Sequence, residues 1–121
     1  MNKRECGQEK ERLTESYLKE RGVRILCRNF RCRQGEIDLI GADGEYLVFF
    51  EVKYRNSPRF EDPFAAVGTA KQSKICRTAD YYRLVKGVPA DTPIRYDVVG
   101  ICGETIKWMK NAFPHRGAGI V

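Results

Sequence analysis

Histidine is nearly missing from this chain: His115 is the only one, and it lies close to the C-terminal end. The cysteines, Cys6, Cys27, Cys32, Cys76 and Cys102, are odd in number and scattered, and no two form a Cys-x-x-Cys pair. Zinc needs clustered thiolates or imidazoles, and a cysteine nucleophile needs a base beside it. Neither chemistry finds its residues here, and reduced, buried thiols in a cytosolic protein are the simpler expectation. The opening MNKRECGQEKERL is dense in charge and holds no apolar run, so neither a signal peptide nor a membrane span is expected. Internal repeats and low-complexity linkers are absent too, and 121 residues suit one domain around a single core.

What the chain has is acid where a sheet should be apolar. In GEIDLIGADGEYLVFFEVKYR, residues 35–55, Asp38 sits inside Ile37–Ile40, and Glu51 and Lys53 interrupt a run of Leu, Val and Phe. An unpaired buried carboxylate costs roughly several kcal/mol, so something must compensate it. An ion pair with Lys53 and a divalent metal are the two candidates.

Asp43-Gly44 is a two-residue hairpin signal between alternating apolar residues. With that turn Ala42 faces Glu45, Ile40 opposes Leu47, Asp38 opposes Phe49 and Glu36 opposes Glu51. Residues two apart on a strand share a face, so Glu36, Asp38, Glu51 and Lys53 project together, and Asp38 and Glu51 become diagonal neighbours roughly 7–8 Å apart. The other face reads Ile37, Leu39, Val48, Phe50 and Val52, ending at Tyr54. Two leaning carboxylates suit a hard cation such as Mg²⁺ or Mn²⁺, which completes its shell with water and phosphate oxygens. Such an ion can generate hydroxide and offset phosphoryl charge. Lys53 beside it would act either as a base or as a fixed positive charge. The plainer reading is a Glu51–Lys53 pair on a solvated sheet face. Phe49 on that face speaks against it, because a strand apolar on both sides expects helices above and below.

Around this segment the chain is basic. Lys and Arg number 22 against 16 Asp and Glu, for a net charge of +6 and a pI near 9.2. Arg24, Arg28, Arg31 and Arg33 precede the acids, and Arg55 and Arg59 follow them, a track suited to a polyphosphate.

Helix formers run from about Arg4 to Arg21, with Gly22 as the stop and Cys6, Leu13, Tyr17 and Leu18 as the apolar stripe. Val23–Cys32 reads as a strand ahead of the hairpin. Asn56–Asp62 reads as a loop, Asp62 as a cap, Pro63 as a helix first turn, and Gly68 as a break. A helix then continues to about Lys86, burying Ile75, Ala79, Tyr82 and Leu84. Pro93–Ile101 and Thr105–Lys110 are the last strands, and Pro114–Val121 reads as a loose, flexible tail after a domain of residues 1–113. Asp97 can pair with Arg95 or cap the sheet edge, and Trp108 is expected in the core.

Asp38, then Glu51-x-Lys53 on the next strand, resembles the PD-(D/E)xK restriction-endonuclease-like superfamily. With GEIDLI, VFFEVKYR, AVGTAKQ, RYDVVGI and IKWMKNAF, the chain resembles the YraN family from Gly7 to Phe113. The resemblance implies an α/β fold, a restriction-endonuclease-like α/β/α sandwich with a mixed central sheet of about five strands, near archaeal Holliday junction resolvases. It also implies a Mg²⁺- or Mn²⁺-dependent endonuclease acting on DNA, branched or otherwise structured, and a homodimer. Asp38, Glu51 and Lys53 would be its catalytic residues. Matching GQEKERLTESYL to the family pattern Gly-x-x-Gly-Glu-x-x-Ala-x-x-Tyr-Leu puts Glu11 on the helix-borne acid that joins Asp38 and Glu51 at the metal. Glu11 lies about 20° round the helix from Leu18, at the edge of the stripe. Lys71 and Gln72 stand where related nucleases touch substrate, although Thr69-x-x-Gln72 also fits a capping box. With Arg31, Arg33 and Arg55 they make the expected nucleic-acid-binding set. The competing expectations are a non-catalytic nucleic-acid-binding module and an interaction subunit of a DNA-processing assembly.

Overall fold

The computed structural model describes residues 3–55 and 67–116, with side chains from Glu9 onward. The expected loop Asn56–Asp62, the Asp62 cap, the Pro63 helix start and Arg59 lie outside the described residues. Helix α1 spans Lys3–Glu20. It closes where Arg21 N–H and Val23 N–H both donate to Leu18 O, and Gly22 N–H donates to Lys19 O. Its inward face is narrower than the expected stripe. Thr14 and Leu18 are fully buried, whereas Leu13 is exposed.

Strands β1 (Arg24–Cys32), β2 (Gly35–Asp43), β3 (Tyr46–Tyr54), β4 (Ile94–Cys102) and β5 (Thr105–Met109) form one sheet in that order. All neighbours are antiparallel except β3 and β4, which run parallel across the connection holding helix α2 (Thr69–Val85). The expected strand boundaries fall within one residue of these.

Strand β3 shows why helices flank both faces. Leu47 and Phe49 join a core with Ile75, Cys76, Ala79 and Tyr82 of α2. Val48 and Phe50 join a second core with Leu18 of α1. The result is an α/β sandwich with a five-stranded mixed sheet, as the two-sided apolar pattern of β3 requires. No helix among the described residues is long and apolar enough to cross a membrane.

Three local expectations are corrected. The hairpin register is Asp43↔Tyr46, Ala42↔Leu47 and Ile40↔Phe49, so Gly44 and Glu45, not Asp43 and Gly44, make the turn. Gly44 takes a positive φ of 61° and Glu45 does not, the pattern of a turn whose glycine fills the first central position. Asp43 stays in the strand because Arg95 holds its carboxylate at 2.7 Å. Second, no side chain caps α2 at its N-cap Gly68, so the Thr69–Gln72 capping box does not form. Third, Leu84 is 78% exposed, because the inward face of α2 ends at Tyr82.

Strict alternation also fails in β1 and β2. Cys27 and Phe30 pack against the α2 core, and so do Ile37 and Ile40, although each pair is three residues apart. Asn29 carries a positive φ of 50°, and β1 shifts register between Ile25 and Cys27. Across from this irregular strand Ile37 joins the α2-side core while Leu39 joins the α1-side core, so the two do not share the face expected of them. At Gly41 an added Cβ would lie 2.8 Å from Val23 Cγ1, so this close crossing demands glycine.

Toward the hairpin end, fully buried Asp97 accepts from Arg95, from Trp108 Nε1 at 2.8 Å and from Asn111 N–H at 2.8 Å. Trp108 also packs at the edge of the α1-side core, as expected. Pro114–Arg116, expected within the tail, run back along α2. The Tyr96 hydroxyl and His115 Nδ1 are 2.7 Å apart, and Arg116 N–H donates to Cys76 Sγ.

Candidate functional site

The β2–β3 ladder runs from Asp43↔Tyr46 to Leu39↔Phe50 and ends one residue short of Asp38 and Glu51, which lie near enough for the charge of Glu51 to act on Asp38. The turn at Gly44 and Glu45 shifts the register from the one expected with an Asp43-Gly44 turn. The shift moves each β2 residue two places along β3, an even number, so the facing residues keep their parity. Past Leu39 the ladder gives way to a side chain: Val52 N–H donates to Asp38 Oδ2 at 2.8 Å.

Burial, and then the negative charge of Glu51, push Asp38 up to about 6, against the opposing pull of the Val52 N–H. A carboxyl raised in the folded state favours folding when protonated. That contribution is complete below its ordinary value of 3.8 and lost as pH rises through about 6. A rise of this size corresponds to about 2–3 kcal/mol. Asp38→Asn, measured by urea denaturation with a chelator present, is therefore expected to be more stable than wild type by about 2–3 kcal/mol near neutral pH, the gap closing below roughly pH 4.

Glu51 is only 5% exposed, and two ammonium groups hold it. Lys71 Nζ lies 2.6 Å from Glu51 Oε1, and Lys53 Nζ lies 3.6 Å from the same oxygen. The hydrogen bond to Glu51 raises the Lys71 pKa further, against partial burial. Lys53 comes from the same strand and Lys71 from the first turn of α2, so only the folded chain brings Lys71 to this acid.

On the α1 side, Asp38 opens into a cavity of about 210 Å³ that Glu11, Thr14, Arg28, Asn29 and Glu36 also line. Glu11 thus reaches the same cavity as Asp38, from an exposed position on α1. Glu51 does not line it. Glu15, which no sequence motif singled out, is the better-anchored acid there: Arg28 donates to it at 2.7–2.8 Å. Its place three residues before buried Leu18 was the available signal.

The basic set divides. Arg31 is exposed and pairs with Glu36 at 3.2 Å. Arg33 is exposed, and Arg55 is half-buried, its backbone N–H donating to Ile101 O. Gln72 is buried, with both ends of its amide occupied. Its Nε2 donates to Val67 O at 2.7 Å and its Oε1 accepts from Arg116 Nε at 3.3 Å. Gln72 therefore ties the start of α2 to the C-terminal segment instead of presenting its amide to a ligand.

No three His, Cys, Asp or Glu side chains converge among the described residues as a ready cage for a metal ion. Magnesium does not need one, since one or two carboxylates with water and phosphate oxygens complete its shell. Asp38 Oδ2 accepts from Val52 N–H, Glu51 Oε1 faces Lys53 and Lys71, and the charge of Glu51 acts on Asp38. Two neighbouring carboxylates on adjacent strands are a donor set that a hard divalent cation accepts.

The uncharacterised protein family UPF0102 has a model that matches residues 10–101. A UPF0102 protein of Lachnoclostridium phytofermentans is 47% identical over 118 residues, covering 98% of this chain and all of the relative. One from Nitrosococcus oceani is 43% identical over 114 residues, 91% of this chain and 92% of its own. One from Legionella pneumophila strain Corby is 40% identical over 111 residues, 90% and 94% respectively.

Proposed function

The chain belongs to the UPF0102 family, the YraN family whose motifs the sequence carries, and from that premise we propose that it is a divalent-metal-dependent hydrolase of phosphodiester bonds in DNA. The observation that carries the reading is the closeness of Asp38 and Glu51 on adjacent strands, near enough for the charge of one to act on the other, with two lysines at the second acid. Mg²⁺ or Mn²⁺ held by Asp38 and Glu51 would supply Lewis-acid activation of water and neutralise phosphate charge. Lys53, 22% exposed at its side chain, would hold a phosphate oxygen or orient the attacking water. Glu11, across the α1-side cavity, would steady the metal's water shell. Lys71, Arg31, Arg33 and Arg55 would meet the phosphate backbone, with branched or otherwise structured DNA as the substrate form and a homodimer as the working unit.

A second reading, a nucleic-acid-binding module without catalysis, is favoured by one observation: two ammonium groups already neutralise Glu51. Cleavage separates the two. Wild type is offered Mg²⁺ or Mn²⁺ with duplex, single strand, flap, four-way junction and RNA. The hydrolase reading expects products only with metal, and preferentially from a structured DNA. Binding that weakens steeply with salt but yields no product on any substrate leaves the binding module in its place.

A further inference from the structure

The two lysines at Glu51 differ in how they are held. Lys53 is fixed two residues along β3 and lies 3.6 Å from Glu51 Oε1. Lys71 makes the shorter contact, 2.6 Å, yet its side chain is half exposed on the first turn of α2. Asp38 and Glu51 carry two negative charges and the two lysines carry two positive ones, so the cluster is balanced as it stands. A divalent cation added there leaves two uncompensated positive charges within a few ångströms, partly shielded from water. Like charges at that range repel strongly. Either an ammonium withdraws or an anion arrives. Lys53, with a side chain only 22% exposed against 50% for Lys71, has less open space to withdraw into. Lys71 can withdraw, because its four-carbon stem emerges from a helix terminus into solvent.

We propose that Lys71 is a displaceable counter-ion: it holds Glu51 until a divalent cation takes that carboxylate, and then passes to the phosphodiester. This rests on the reading of Asp38 and Glu51 as metal donors and adds a regulation that reading does not contain. Its consequence is reciprocal coupling. A cation alone binds against Lys71, whereas a cation with a phosphodiester binds with Lys71 re-paired, so each tightens the other by the same factor. Metal and substrate therefore load together.

Lys71→Met and Lys71→Arg are titrated with Mn²⁺ alone, free ion being read by electron paramagnetic resonance, and again with a phosphorothioate oligothymidylate present. Lys71→Met is expected to bind Mn²⁺ alone about tenfold more tightly than wild type, within the usual range of coupling between sites. The oligonucleotide should tighten Mn²⁺ in wild type and in Lys71→Arg, and lose that effect in Lys71→Met. A Lys71 that merely braces the fold would give the opposite sign. Unchanged or weaker Mn²⁺ binding in Lys71→Met overturns the proposal, as does Mn²⁺ binding in Glu51→Gln as tight as in wild type. Tighter Mn²⁺ in Lys71→Met with no cleavage of any DNA upholds displacement while the hydrolase reading falls. Metal-dependent cleavage with no change in Mn²⁺ affinity overturns displacement and leaves the hydrolase reading standing.

Discussion

Glu51→Gln is expected to lower metal-supported cleavage by on the order of 10³-fold, comparable to losing one preorganised electrostatic group from an active site. The substitution keeps the shape of a side chain that is 5% exposed and removes only its charge and its affinity for a hard cation. Glutamine also leaves Lys53 and Lys71 an oxygen to donate to, whereas alanine would strand two ammonium groups beside a cavity of its own making. The loss should appear in kcat at saturating DNA. Binding should hold or strengthen, because a negative charge leaves a basic surface. Single-turnover cleavage together with binding at two salt concentrations separates these effects. Equal cleavage by wild type and Glu51→Gln would point to a contaminating nuclease.

Asp97→Ala is expected to cost about 3–5 kcal/mol of stability, the usual result of removing one partner from a buried ion pair. Asp97 is fully buried and gathers Arg95, Trp108 Nε1 and the Asn111 N–H. Without it, Trp108 and Asn111 lose acceptors inside the fold, and Arg95, 12% exposed at its side chain, keeps Asp43 and the Tyr46 ring but loses its most buried carboxylate. Urea unfolding followed by Trp108 fluorescence should show a lower midpoint with an unchanged slope. A shift below about 1 kcal/mol would mean that water reaches these groups. The Asp97 network sits at the hairpin end and touches neither Asp38 nor Glu51, so a variant that still folds should keep its Mn²⁺ affinity.

Two of the expectations failed for opposite reasons. Asp43-Gly44 is a good turn signal, but Arg95, 52 residues further along, claims the Asp43 carboxylate and keeps it in the strand. The turn moved by one residue and the pairing by two. Because the side-chain period of a strand is two, the error left the facing residues of β2 and β3 with unchanged parity. The alternation of Ile37 and Leu39 failed because Asn29, on the neighbouring strand, adopts a positive φ that nothing in its own segment announces. Gln72 was legible as a helix-start residue, but not as a tie between Val67 and Arg116.

Local order settled what repeats locally. The spacing of apolar residues in β3 dictated a strand buried on both faces, hence helices on each side, and the run from Gly35 to Arg55 carried the family and the order of its acids and lysine. Tertiary structure alone decided that Asp38 comes within range of the charge of Glu51, that Lys71 reaches Glu51 from another element, and that Glu15 rather than Glu11 is the acid anchored by arginine. The reason is range. Periodicity acts between residues two to four apart, whereas each of these contacts joins segments at least a dozen residues apart, whose meeting depends on every turn and twist between them.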